Sequence, residues 1–239
     1  MSFARQTLTL LLLLSLCAVL SSALRSQEAQ SLELNGWVGL GHNLTDNIHG
    51  HISSLVTWHY NPNIDLSGGI RWRSPKMFAL QAVPTVKFPL KEGHLQLQNR
   101  YIYQAWLDYN IQEFNALISF GYVSPRWKAV VGVFNKFFSN IHTPFSNVEY
   151  VFEPLNVAYD LEFWFLQSYR KWNFSIRICN IDDFQAERFF SPLTIYTLRY
   201  RPREDMTFYA NLRNHHAGIF DLTQNYYEHS LNIGAILSW

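Results

Sequence analysis

The chain has 239 residues, of which 48% are hydrophobic, 16% aromatic and only 15% charged, yet its mean hydropathy is −0.09. Soluble domains average about 25% charged residues, so the deficit speaks against an ordinary cytosolic surface, and the wealth of rings speaks against a disordered chain. Nineteen Lys+Arg against eighteen Asp+Glu leave a net charge of +1, without the basic excess of nucleic-acid-binding proteins.

Residues 1–23 place Arg5 ahead of an apolar run from Leu8 to Leu20, followed by small residues ending at Ala23. That three-part plan predicts a secretory signal peptide over 1–23; the run is too short for a spanning helix, which needs about 20 apolar residues. Cleavage would remove Cys17 and leave Cys179, so no disulfide framework is expected.

From there to the end the dominant pattern is alternation with period two. In 63–73, Ile64, Leu66, Gly68, Ile70 and Trp72 share one face, and Asp65, Ser67, Gly69, Arg71 and Arg73 the other. In 94–109 an apolar and aromatic face of Leu95, Leu97, Tyr101, Tyr103, Ala105, Leu107 and Tyr109 opposes Gln96, Gln98, Arg100, Gln104 and Asp108. The same split sets Leu155, Val157, Tyr159, Leu161, Phe163 and Phe165 against Asn156, Asp160 and Glu162, and Trp172, Phe174, Ile176 and Ile178 against Asn173, Ser175, Arg177 and Cys179. Such alternation makes half-buried strands. About twelve are expected, near 32–40, 50–60, 63–73, 77–88, 94–109, 112–122, 127–137, 154–166, 171–181, 193–201, 205–214 and 229–239. Their even-numbered connections are all short, whereas the long ones, 41–49, 138–153, 182–192 and 215–228, all fall at odd positions.

The last stretch sets Leu231, Ile233, Ala235, Leu237 and the terminal Trp239 opposite Ser230, Asn232, Gly234, Ile236 and Ser238. An alternating strand that finishes on an aromatic residue resembles the closing strand of Gram-negative outer-membrane β-barrels, in which the terminal aromatic belongs to the signal for membrane assembly. The resemblance implies an all-β fold, a single antiparallel up-and-down transmembrane barrel over 24–239, located in the bacterial outer membrane. Its partners would be outer-membrane lipid and the barrel assembly machinery, with Trp239 as the assembly signal. The parity of the connections fits that architecture, which keeps short turns on the side of the termini. The aromatic excess then belongs in girdles at the two rims.

On this reading the polar faces line a lumen. Arg71, Arg73, Arg100, Arg177, Arg199 and Arg213 outnumber Asp108, Asp160 and Glu162 there, with Gln96, Gln98 and Gln104 between them. Charges in a narrow bore set selectivity, so the sequence points to a small porin-like channel for polar or anionic solutes, without cofactor or metal. Three other readings compete. The charges could pair with one another and plug the barrel. The long loops, with Phe145, Phe189, Phe190, Tyr226 and Tyr227, could face outward and hold a partner. The pair His51 and Ser53 could serve an outer-membrane lipid hydrolase, but it falls on the lumen face, away from lipid. His215 and His216 lie before the last strand, as in lipid A deacylases, but no serine stands two residues after either.

Overall fold

The computed structural model describes residues 30–43, 47–74, 77–106, 109–142, 147–165, 171–186, 191–218 and 226–239. The signal peptide expected at 1–23, Asp108, Phe145, Phe189 and Phe190 lie outside them. Alternating side chains draw the chain into strands β1 (Ser31–Asn43), β2 (Asn47–Asn61), β3 (Ile64–Arg73), β4 (Met77–Leu90), β5 (Gly93–Ala105), β6 (Tyr109–Val123), β7 (Trp127–His142), β8 (Asn147–Phe165) and β9 (Trp172–Cys179). Two short strands follow, β10 (Ile181–Asp182) and β11 (Gln185–Ala186), then β12 (Leu193–Arg203), β13 (Met206–His216) and β14 (Tyr226–Ser238). Successive wall strands pair antiparallel, β9 pairs with β12, and β1 with β14, which closes a barrel of twelve strands; β10 and β11 pair only with each other.

The closing seam runs from Glu33 opposite Ser238 to Asn43 opposite Glu228. The last residue completes it: Trp239 N donates to Leu32 O at 3.0 Å, and Leu32 N donates to Trp239 O at 2.7 Å. Closure leaves no open edge between the first strand and the last.

Burial divides each strand as the alternation requires. The outer surface carries a continuous apolar belt that includes Leu40 (67% exposed), Ile52, Ile70, Ile118, Val131, Leu198 and Ile233 (63% exposed). An apolar surface of that extent belongs against another apolar medium. At the end that holds the termini the belt finishes in aromatic pairs, Trp58 with Tyr60, Tyr122 with Trp127 and Trp172 with Tyr200, their ring centroids 5.3, 5.0 and 4.7 Å apart. At the opposite rim Trp72 stands across from Phe78 and Phe137 stacks on Tyr150. These are the two girdles.

Several element boundaries differ from the pattern. β1 runs on to Asn43, β2 starts at Asn47 and β7 runs on to His142, so the expected loops 41–49 and 138–153 are mostly strand. The stretch 94–109 is not one strand: β5 ends at Ala105, Trp106 N donates to Tyr109 O (2.9 Å), and Tyr109 opens β6. Alternation in the sequence continues from Ala105 to Tyr109, so it gave no sign of a break. β8 begins at Asn147 rather than near 154, because a bulge at Leu155 (φ 56°) opposite Asn135 resets its register. Asn135 Oδ1 accepts from Leu155 N at 3.0 Å and holds the bulge. Finally, β9 stops at Cys179 rather than 181, and the chain leaves the wall.

A charge on the lipid face of a barrel costs about 2–4 kcal/mol at mid-membrane. Ile233→Arg, near the middle of β14, is expected to lower the stability of the barrel refolded in lipid vesicles by about that amount in urea titrations, and Ile233→Val by less than about 1 kcal/mol.

Candidate functional site

The lumen is built from the inward faces of all the wall strands, and its central feature is the hairpin that leaves β9. Asn180 starts the turn inward: its Nδ2 donates to Val157 O (2.7 Å) and its Oδ1 accepts from Tyr159 N (2.8 Å), so it stands in for one more residue of wall pairing. Beyond it, β10 and β11 fold into the bore. The sequence places 182–192 among the outward loops; the structure corrects this for the hairpin, since Ile181, Asp182, Phe184 and Ala186 contact wall strands from inside.

Two apolar seats receive the hairpin. Phe184, 1% exposed, packs with Trp37 on β1, Met77 and Ala79 on β4, and Tyr209 on β13. Ile181 and Ala186 pack on Leu117, Phe134 and Ala158 of β6, β7 and β8. Phe184 adopts the left-handed backbone region (φ 61°), which for a bulky residue persists only where the surroundings over-determine it. The ring seat and a hydrogen bond from Phe184 N to Gln81 Oε1 (2.5 Å) supply that constraint.

Polar groups clasp the remainder. Asp182 forms ion pairs with Arg177 (3.1 Å) and with Arg213. Arg100 donates to the Asp182 carbonyl and to Gln81 Oε1 (3.2 Å). Lys136 Nζ donates to Ala186 O (2.8 Å), and Gln104 Nε2 donates to Phe184 O (3.5 Å). Arg71 lies over the Phe184 ring, 4.7 Å from its centroid. Backbone carbonyls of a chain in a narrow bore need donors, and these side chains provide them.

The residues singled out in the sequence are distributed as follows. Arg71, Arg100, Gln104, Arg177 and Arg213 gather at the hairpin. Asp160 bridges Arg177 (2.7 Å) and Lys128 (2.7 Å), and Glu162 pairs with Arg199 (3.1 Å), whose other contact is Ser175 Oγ (2.7 Å). Gln98 donates to Thr85 Oγ1 (3.1 Å), with Gln96 two residues along on the same face. Arg73 reaches Glu228 (3.4 Å), which also meets His49 (3.3 Å). His51 and Ser53 are buried toward the lumen: His51 Nε2 donates to Asn232 Oδ1 (2.6 Å), and Ser53 Oγ accepts from Arg71 Nε (3.1 Å). A side chain at Gly39 would collide with Asn232 and His51, so the missing Cβ on β1 makes room for that bond.

Sequence reading set Asp65, paired with Lys87 (2.5 Å), on the polar face without counting it among the lumen charges, and it missed Glu113, paired with Lys136 (3.3 Å), and Glu228; all three face inward. It also missed Phe184 and Asp182. The available signal was the set of apolar residues at inward positions, Trp37, Ala79, Leu117 and Phe134, which a water-filled bore would not favour.

On the side away from the termini, the hairpin leaves a cavity of about 300 Å³ whose lining includes Arg71, Arg73, Trp106, Lys136, Arg213 and Glu228. Below it the hairpin and its clasps occupy the bore. A closed barrel with an apolar belt, two aromatic girdles and a polar interior decides the class. This is a twelve-stranded outer-membrane β-barrel. No family model matches it, and no characterised protein matches it in sequence. In fold it is similar to the KdgM porin solved in complex with disordered oligogalacturonate, at a TM-score of 0.55 and 8% identity over 87% of this chain and 99% of that one. It is also similar to the translocator domain of the autotransporter NalP from Neisseria meningitidis, at a TM-score of 0.54 and 11% identity over 92% of each chain. In the barrel's frame the termini and short turns are periplasmic and the 300 Å³ cavity is an outer vestibule.

Truncating a buried Phe costs about 3–5 kcal/mol. Phe184→Ala is expected to release the hairpin rather than unfold the wall. By hydrogen–deuterium exchange the amide of residue 184 should then lose at least a hundredfold in protection, while β12 and β13 keep theirs.

Proposed function

We propose that the protein is a narrow outer-membrane channel for small polar or anionic solutes, with the β10–β11 hairpin as its constriction. One observation carries the reading: a hairpin clasped by Arg100, Arg177 and Arg213 sits in the bore. Eight-stranded barrels are filled by their own side chains, and barrels of sixteen strands keep an aqueous channel. Here an intermediate bore is tuned by a separate element, with a polar vestibule before it. The KdgM porin, with oligogalacturonate bound, is an instance of a barrel of this architecture that holds a polar solute.

The arginines give the constriction its selectivity. Arg100 is bonded to a carbonyl and an amide rather than to a carboxylate side chain, so it contributes positive potential to the narrowest part of the path. The engagement of His51 with Asn232 and of Ser53 with Arg71 favours transport over lipid hydrolysis, as does their position away from lipid.

A plugged structural barrel draws on a specific observation too, the pairing of Asp65, Glu113, Asp160, Glu162 and Glu228 with lumen cations. Planar-bilayer recording separates the two. The wild-type barrel is expected to show small, resolved conductance steps in KCl. Replacing 181–186 by a Gly-Ser linker should raise the step severalfold, and Arg100→Glu should move the reversal potential toward cation preference. A wild-type barrel without steps would overturn the channel.

A further inference from the structure

Charge accounting in the vestibule leaves one guanidinium apart. Arg73 faces Glu228 (3.4 Å), Lys136 faces Glu113 (3.3 Å) and Arg213 faces Asp182. Arg71 also lines the cavity, but its contacts are different. Its Nε donates to Ser53 Oγ (3.1 Å), and its guanidinium lies 4.7 Å from the Phe184 ring centroid and 5.9 Å from that of Trp37. Among the described residues no carboxylate stands within ion-pair distance of it; Asp183 and Glu228 act on it only through space.

That arrangement is a preorganised anion receptor. Two rings and a hydroxyl fix the plane of the guanidinium, so little side-chain entropy remains to be lost on binding. The terminal nitrogens form a fork that matches a carboxylate in bidentate fashion. Two further features define the ligand. The cavity of about 300 Å³ lies at the small end of ligand pockets, which run from about 300 to 1,000 Å³. Glu113 and Glu228 share the lining and are matched by Lys136 and Arg73, as Asp182 is by Arg213, so the Arg71 guanidinium offers one positive charge to a ligand. Around the fork, His51, Gln104 and Ser230 offer hydrogen-bonding groups, and Trp106 offers a flat apolar face.

We infer that the outer vestibule is a binding site for small monoanionic hydroxy-carboxylates, with the Arg71 guanidinium as carboxylate receptor. The inference rests on the reading of the lumen as a solute path, on which this site is a station just before the hairpin. A dianion would bring one charge more than Arg71 offers, and neutral polyols lack the group that Arg71 receives.

Isothermal titration of the refolded barrel in detergent tests this with D-gluconate, with sorbitol, which matches its size and hydroxyls without the charge, and with sulfate, a dianion without hydroxyls. Gluconate is expected to bind, sulfate at least tenfold more weakly, and sorbitol without measurable heat. Arg71→Gln should weaken gluconate at least tenfold. Glu228→Gln, which removes a negative charge from the lining, should strengthen it severalfold. Arg203→Gln, at an exposed periplasmic turn where Arg203 pairs with Asp205 (2.9 Å), should bind as the wild type does. Heat-modifiable gel migration verifies that each variant is folded; the gain expected of Glu228→Gln keeps the test decisive should Arg71→Gln not fold. Sorbitol or sulfate binding as tightly as gluconate, or unchanged affinity in both Arg71→Gln and Glu228→Gln, would overturn the site. Conductance without gluconate binding removes the site and leaves the channel; gluconate binding to a barrel that never conducts removes the channel and leaves the receptor.

Discussion

In hydrocarbon, a peptide N–H or C=O without a partner costs several kcal/mol, and the whole architecture answers to that constraint. Strands satisfy it only if the last one returns to the first. The β1–β14 seam does so down to the final residue, where Trp239 and Leu32 exchange both of their backbone bonds. Once closure is imposed, alternation assigns every second side chain to lipid and the rest to the bore. The unusual composition follows: half of each spanning strand cannot carry charge, and the rims collect the rings.

Closure also creates the second problem, a wide polar interior that must be organised. The barrel meets it with a piece of its own chain. The hairpin inserts Phe184 and Ile181 into apolar seats and presents Asp182 and a row of carbonyls to arginines and a lysine. It thus behaves chemically as a tethered anionic occupant. Arg177 is shared between that occupant and the wall, since it also holds Asp160, so hairpin and wall are parts of one electrostatic network.

Much of the barrel was legible in the sequence because one physical rule, period two, applies to every spanning strand. Alternation placed Arg71, Arg100, Arg177 and Arg213 on one face, and the parity of the turns placed both termini on one side. The boundaries at Ala105 and Leu155 were not legible, since alternation ran on past the strand end at the first and was reset by a bulge at the second. The hairpin was hidden for a different reason. Whether a loop turns outward or inward depends on groups far away in sequence, such as Trp37, Gln81 and Arg213, that meet it only after the wall has closed. A local pattern cannot report that, although inward-facing Phe134 and Leu117 were its trace.

The hairpin also bears on how the protein is made. Its partners include β1, the first strand laid down, and β13, next to the last. When β1 meets β14 the side wall is sealed, and the hairpin is then inside or must enter through a mouth. Contacts between such distant segments are slow to form. A hairpin already seated on β4 and β5 through Gln81 and Arg100 offers the incoming strands a core to wrap around, so the element that narrows the finished bore would also serve as the mandrel on which the barrel is wound.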